Sequence, residues 1–198
     1  MNFLAHLFLS GSNAEIMVGN FIGDFVRGKN FRERYSPSIA LGIELHREID
    51  QFTDNHSVVL ESKKRLRPKY RHYSPVIIDM FYDHFLAKNW NTYSTTSLDK
   101  YAQDAYAILR KYDATVPDQV KRLLPYMIQG NWLYNYSHVE GIHRALSGMA
   151  QRTPYASKME EASRDLEEHY DLFQNEFTLF FPELQKISSD YIDKNFTT

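Results

Sequence analysis

Two segments of this sequence set ionisable side chains where a folded chain would keep apolar ones. Residues 76–86 read Val-Ile-Ile-Asp-Met-Phe-Tyr-Asp-His-Phe-Leu, apolar nearly all round and suited to a central buried helix. Asp79 and Asp83 stand at i and i+4 on one face of that helix, with His84 about a quarter turn away. Two carboxylates on one buried face repel each other unless a divalent cation, arginines or a shared proton relieves them. The second segment runs from Ile39 to Phe52. At about 100° per residue, Ile39, Leu41, Ile43, Leu45, Ile49 and Phe52 form an apolar arc, and Glu44, Arg47, Glu48 and Gln51 form a wet side. His46 and Asp50 fall inside the apolar arc, four residues apart and so adjacent on the helix surface. A carboxylate in that position needs a cation, a metal or hydrogen-bond donors, unless the His–Asp pair merely satisfies itself in the core.

Three smaller features could join them. Asp24 and Arg27 lie at i and i+3 among Phe21, Ile22, Phe25 and Val26. His6 lies among Phe3, Leu4, Leu7 and Phe8, and on its own fits a satisfied core histidine. Thr53-Asp54-Asn55-His56 reads either as a helix end before a new cap at Ser57 or as a polar loop at the mouth of the same site.

Imidazoles with carboxylates and no thiolate suit Mn²⁺, Fe²⁺ and Mg²⁺, with zinc a less distinctive fit. Such a centre acidifies water and clamps phosphoryl oxygens, so metal-assisted hydrolysis is the natural reaction class. The chain has no cysteine, which removes disulfides, thiolate metal sites and a cysteine nucleophile together. No G-x-S-x-G elbow, G-x-x-x-x-G-K-[ST] loop or strand-borne G-x-G-x-x-G occurs, which argues against serine hydrolase, nucleotide-loop and dinucleotide folds.

The elements that must position these residues are helices. No clean period-2 run appears, and Pro and Gly fall between helical patterns, so the class is all-α. Helices are expected near about 13–26, 38–54, 57–66, 75–90, 97–112, 117–129, 138–149 and 156–178. Ser36-Pro37 and Ser74-Pro75 read as helix starts with serine at the cap, and Asn13 as the cap of the first clear helix. The 198 residues fit one domain, 1–198, a helical bundle with a real core. There are 2 Trp, 14 Tyr and 13 Phe, most of which are expected to fill that core.

Lys and Arg total 23 and Asp and Glu 25, a net charge of −2, which excludes a generally basic nucleic-acid binder. No apolar run reaches the roughly 20 residues that span a bilayer. The opening residues lack a charged leading region and a small-residue cleavage site, so a cytoplasmic location is expected. Charge is unevenly placed. Lys63, Lys64, Arg65, Arg67, Lys69 and Arg71 follow one another with no acid before Asp79, and read either as a solvated face or as a dock for an acidic partner.

Several motifs occur together and in order: Met1-Asn2-Phe3-Leu4-Ala5-His6-Leu7, Gly19-Asn20 to Asp24-Phe25-Val26-Arg27-Gly28, Gly42-Ile43 to His46-Arg47 and Asp50, Thr53-Asp54-Asn55, and Asp79-Met80-Phe81-Tyr82-Asp83-His84-Phe85-Leu86. With them the chain resembles the bacterial acyl carrier protein phosphodiesterases over nearly its whole length. Trp132-Leu133, Tyr136, Leu146, Gly148-Met149-Ala150 and Phe180-Phe181-Pro182 add weaker matches. The resemblance implies hydrolysis of the phosphodiester joining 4′-phosphopantetheine to the serine of holo acyl carrier protein. It also implies a divalent metal, Mn²⁺ first and Mg²⁺ or Fe²⁺ next, and a distant kinship with the all-α HD-domain phosphohydrolases. His46 and Asp50 at i, i+4 and the reversed Asp83-His84 pair depart from an adjacent His-Asp signature.

Under that resemblance His46, Asp50, Asp83 and His84 would hold the metal, and Asp24, Arg27 and Asp79 would serve the reaction. His6, Arg47, Asp54 and Asn55 would surround them. Acyl carrier proteins are small and acidic, so Lys63, Lys64, Arg65, Arg67, Lys69 and Arg71 would steer them in. Neither nucleic acid nor membrane is expected as a partner. A metal phosphohydrolase acting on a small phosphodiester and a non-catalytic helical binder of an acidic partner are the alternatives.

Overall fold

The structure, a computed structural model, describes residues 1–196. Among the described residues the chain is all-α, with no strand. In chain order the helices are α1 (Phe3–Phe8), α2 (Ala14–Ile22), α3 (Pro37–Asn55), α4 (Ser57–Tyr70), α5 (Ser74–Lys88) and α6 (Trp90–Tyr93). They continue with α7 (Leu98–Lys111), α8 (Asp118–Gln129), α9 (Trp132–Asn135), α10 (Val139–Ala150), α11 (Ala162–Glu168) and α12 (Tyr170–Asn195). No helix among the described residues is long and apolar enough to cross a membrane.

The starts follow local chemistry. The Asn13 side chain accepts from the backbone N–H of Glu15 and Ile16 at the head of α2. Ser36 accepts from Ile39 N–H, with Pro37 in the first turn of α3. Ser74 departs from the expected pattern. It lies inside α5, and its hydroxyl donates to the Arg71 carbonyl rather than capping the helix.

α5 is the central helix, and Ile77, Ile78, Met80, Phe81, Tyr82, Phe85 and Leu86 are all fully buried. α12 lays Phe173, Phe177, Phe180 and Phe181 against it, each fully buried. Ring centroids lie 5.2 Å apart for Phe81 and Phe173, and 5.7 Å apart for Tyr82 and Phe177. Much of the aromatic excess is therefore core. The helix expected over 156–178 is instead two. Lys158 adopts a left-handed φ of 58°, α11 closes at Glu168, and α12 then runs through Pro182 to Asn195. Proline removes one helical hydrogen bond, but Phe180 and Phe181 before it and Leu184 after it are all buried and hold the helix through that point.

α2 and α3 cross at bare backbone. A Cβ on Gly19 would overlap the Ile39 carbonyl, and one on Gly42 the Ile16 carbonyl. This close approach sets His46 of α3 against the backbone of α2. Gly42→Ala is expected to cost roughly 1–3 kcal/mol through overpacking, although Gly to Ala in an open helix gains up to roughly 1 kcal/mol. Gly148→Ala on α10, where nothing lies within 4 Å of the added carbon, is the matched comparison and should not destabilise. Thermal unfolding midpoints that rank the two variants the other way would refute this reading of the crossing.

Candidate functional site

The expected ionisable residues separate into two groups. His6 from α1, His46 and Asp50 from α3, and Asp24 from the turn after α2 converge. Asp83 and His84 of α5, expected as metal ligands, do not join them; their polar atoms are engaged elsewhere.

Asp83 is fully buried and spends its carboxylate on the backbone. It accepts from the N–H groups of Asn2 (3.1 Å), Leu4 (2.8 Å) and Ala5 (3.4 Å), the unsatisfied donors at the head of α1. Burial pushes its carboxyl up to about 7, against the pull of the Met1 amine and those three donors. His84 donates or accepts at both ring nitrogens elsewhere, with Nδ1 2.8 Å from the Tyr136 carbonyl and Nε2 2.8 Å from the Tyr170 hydroxyl. Asp79 faces the Met1 amine at 3.0 Å.

In the converging group both histidines are oriented by α2. Asn20 is fully buried, and its amide donates to the His6 carbonyl (2.8 Å) and to Ser10 Oγ (2.9 Å). Its Oδ1 therefore faces His6 Nδ1, at 2.8 Å, as an acceptor. The Asn20 backbone carbonyl lies 2.8 Å from His46 Nδ1. Each imidazole thus carries its Nδ1 proton toward an oxygen and turns its Nε2 into the cluster. The rings stack with centroids 4.0 Å apart. His6 Nε2 lies 3.2 Å from Asp50 Oδ1. His46 Nε2 lies 3.1 Å from Asp50 Oδ2 and 3.2 Å from Asp24 Oδ1.

Ligand atoms of His6, His46 and Asp50 all lie within 4.8 Å of one another. Two ring lone pairs facing two carboxylates require a positive charge between them, either a proton or a metal cation. Burial alone would lower the His46 pKa, but the hydrogen bonds that its protonated Nε2 donates to Asp24 and Asp50 outweigh it and hold it at about 9. Burial, together with the charge on His46, lowers that of His6. Hydrogen bonding to His46 holds the Asp24 carboxyl below its usual range. Asp50 is also held below that range, because its bonds to both histidines outweigh its burial.

The remaining expected residues serve the scaffold or the surface. Arg47 donates to the carbonyls of Val26 (3.3 Å) and Gly28 (3.0 Å) and lies over the Phe31 ring, tying down the loop after Asp24. Arg27 is exposed. Asp54 pairs with Lys63 at 2.6 Å, and Asn55 bonds the Gln51 carbonyl within α3. The basic run on α4 is largely neutralised by the chain itself. Arg65 grips Glu176 through two nitrogens (2.9 and 2.7 Å), Lys69 meets Asp165 (2.9 Å) and Glu161 (3.2 Å), and Lys64 lies 3.6 Å from Glu61. Arg67 and Arg71 are exposed.

A pocket of about 140 Å³ at the cluster is lined by His6, Asn20, Asp24, His46 and Asp79. Beside it opens a cleft of about 970 Å³ between α8, α9 and α10. The two share Phe3, Asp24 and Met149 as lining residues. Asn20 and this cleft were not anticipated from sequence. A lone polar residue among Ile16, Met17, Val18, Phe21 and Ile22 was the available signal for Asn20.

The fold and site define an all-α protein with a buried His/Asp cluster open to a long cleft. A family model described as acyl carrier protein phosphodiesterase matches residues 1–184. Proteins named acyl carrier protein phosphodiesterase match along most of their length. That of Photorhabdus laumondii is 34% identical over 92% of each chain. That of Klebsiella pneumoniae strain 342 is 34% identical over 96% of this chain and 98% of its own. That of Escherichia coli O6:H1 is 35% identical over the same shares. The chain belongs to the acyl carrier protein phosphodiesterase family. No solved structure matches it.

Burial lowers the His84 pKa to about 4, so the ring is neutral in the folded protein near neutral pH. The unfolded chain, with a pKa near 6.5, binds the extra proton between about pH 4 and 6.5. This histidine's contribution is therefore complete above that window and is lost as pH falls through it, by up to about 3 kcal/mol. His84→Gln should flatten that part of the curve relative to the parent in denaturant unfolding. Identical pH slopes for the two proteins would show that His84 titrates freely.

Proposed function

We propose that this chain is a divalent-metal-dependent phosphodiesterase that converts holo acyl carrier protein to apo carrier protein and 4′-phosphopantetheine. The observation that carries this reading is the pair of histidines whose Nδ1 atoms are fixed by Asn20 and whose Nε2 atoms meet Asp50 and Asp24. Imidazoles with carboxylates accept a borderline-to-hard divalent cation, the family resemblance puts Mn²⁺ first and Mg²⁺ or Fe²⁺ next, and His6, His46, Asp50 and Asp24 are the residues that would hold the ion. When bound, the cation supplies an acidified water and charge compensation on the phosphoryl oxygens. The names of the relatives, matched along nearly the whole chain, support the substrate. The His/Asp donor set on an all-α scaffold also supports kinship with the HD-domain phosphohydrolases.

The chain's own groups divide the work. Asn20 fixes both imidazole tautomers, so neither ring rotates away when its partner changes charge. Asp24 stands exposed at the junction of pocket and cleft, and its depressed pKa keeps it ionised, which suits a ligand or a proton acceptor and not a general acid. Water adds across the bond: its hydroxyl goes to phosphorus and its proton, in the end, to the departing serine oxygen. Arg47 spends its guanidinium on the Val26 and Gly28 carbonyls and so holds the loop that follows Asp24.

The test is the mass of holo acyl carrier protein after incubation with this protein plus Mn²⁺, and separately with chelator. Loss of the phosphopantetheine mass is expected with Mn²⁺ alone. His46→Gln and Asp50→Asn should each reduce turnover by more than the roughly 10–100-fold typical of losing a ligand's hydrogen-bond partner, with circular dichroism unchanged. An unaltered holo mass with Mn²⁺ and folded protein would overturn the proposal, and hydrolysis of nucleotide or other small phosphodiesters would then be measured.

A further inference from the structure

We propose that the cleft between α8, α9 and α10 is where the carrier protein docks. Its apolar wall receives the pantetheine arm, and Arg122, Arg144 and Arg152 meet the carrier's acidic face. The proposal rests on the substrate reading above and assigns its recognition surface, which is not the basic run of α4.

Charge points to this place. The α4 cations are mostly occupied: Lys63 by Asp54, Arg65 by Glu176, and Lys69 by Asp165 and Glu161. Arg122, Arg144 and Arg152 all line the cleft, and the one acid on its lining is Asp24 of the His/Asp cluster. Among the described residues Arg122 and Arg152 have no ion-pair partner, and Arg144 has only an exposed 3.7 Å contact with Glu140. Three available cations beside one committed acid form a local positive rim on a chain whose net charge is −2.

Shape and continuity point the same way. The wall includes Phe25, Leu123, Tyr126, Trp132 and Met149, and Tyr126 is 65% exposed on α8. A volume of about 970 Å³ lies at the top of the range for small-molecule sites, roughly 300–1,000 Å³, and is more than a small phosphodiester would occupy. Phe3, Asp24 and Met149 border both cleft and pocket, so a chain lying along the cleft delivers its phosphate end to His46 and Asp24. The pantetheine arm has that form, with a phosphate at one end followed by amide and methylene groups. Gly148 of α10 lines the cleft with nothing within 4 Å of where a side chain would start, so a bulky residue there fills the cleft without disturbing packing.

The test measures binding of holo and apo carrier protein with chelator present, and steady-state hydrolysis with Mn²⁺. The double variant Arg122→Glu/Arg152→Glu should bind both carrier forms at least about tenfold more weakly, with a shallower salt dependence, and its loss should appear in KM. Gly148→Phe should weaken binding of holo carrier more than of apo carrier, because only the former inserts an arm. Lys64→Glu on α4 should bind as the parent does. Parent-like affinity in the arginine double variant, or an equal loss in Lys64→Glu, overturns the docking site, as does absence of carrier binding by the parent protein. Arginine-dependent binding without hydrolysis upholds the surface while removing the catalytic reading. Hydrolysis that is indifferent to the arginines does the reverse.

Discussion

The site depends on a carboxylate that takes no part in it. Asp83, on the central buried helix α5, accepts three backbone N–H groups from the head of α1. A helix of six residues has little stability of its own, since its nucleation cost is spread over few hydrogen bonds. Joined to Asp83, its orphan donors are satisfied and its position on α5 is set. His6, on the same short helix, is thereby carried to within 3.2 Å of Asp50. A buried carboxyl that would be costly alone becomes the anchor for an element that could not otherwise hold His6 in place.

α2 supplies the second constraint. Its glycine contact with α3 lets the two backbones approach closely enough for the Asn20 carbonyl to receive His46, while the Asn20 side chain receives His6. One residue thereby sets the tautomer of two histidines on two other helices. The cluster is a meeting of three elements, each held by bonds that turn the Nε2 atoms toward Asp50 and Asp24. Its exposed member, Asp24, is followed by a loop that Arg47 ties to α3 through the Val26 and Gly28 carbonyls.

How much of this was legible in sequence varies with the range of the interactions involved. The all-α class, the burial of α5 and the placing of His46 and Asp50 on an apolar arc follow from periodicity, which is local. The roles of Asp83 and His84 do not. A polar residue on an apolar helix is satisfied equally well by a metal, by backbone donors or by a tyrosine hydroxyl, and only the tertiary partner decides. Here the partners lie 78–81 residues away for Asp83, and 52 and 86 for His84. His6 shows the opposite error: its apolar neighbours suggest a core residue, yet Asn20 turns the ring inward. The second half of the chain misled for a related reason. The buried phenylalanines of α12 keep the helix intact past Pro182, where a local rule favours a stop.

The basic run on α4 carries the most general lesson. Read along the chain it is a strong positive stripe. In the fold, Glu176, Asp165 and Glu161 arrive from segments about a hundred residues later and cancel much of it. Exposed charges farther apart than about 8–10 Å are largely screened at physiological ionic strength, so a partner responds to the local sum of charges and not to the sequence run. The arginines of α8, of α10 and of the turn after α10 form no run in the sequence yet come together on one cleft. Electrostatic recognition surfaces are therefore poorly read from charge clustering in a helical bundle. Consecutive basic residues on one helix invite intramolecular pairing with the helix packed beside it, whereas arginines dispersed over several elements escape it and remain available to a partner.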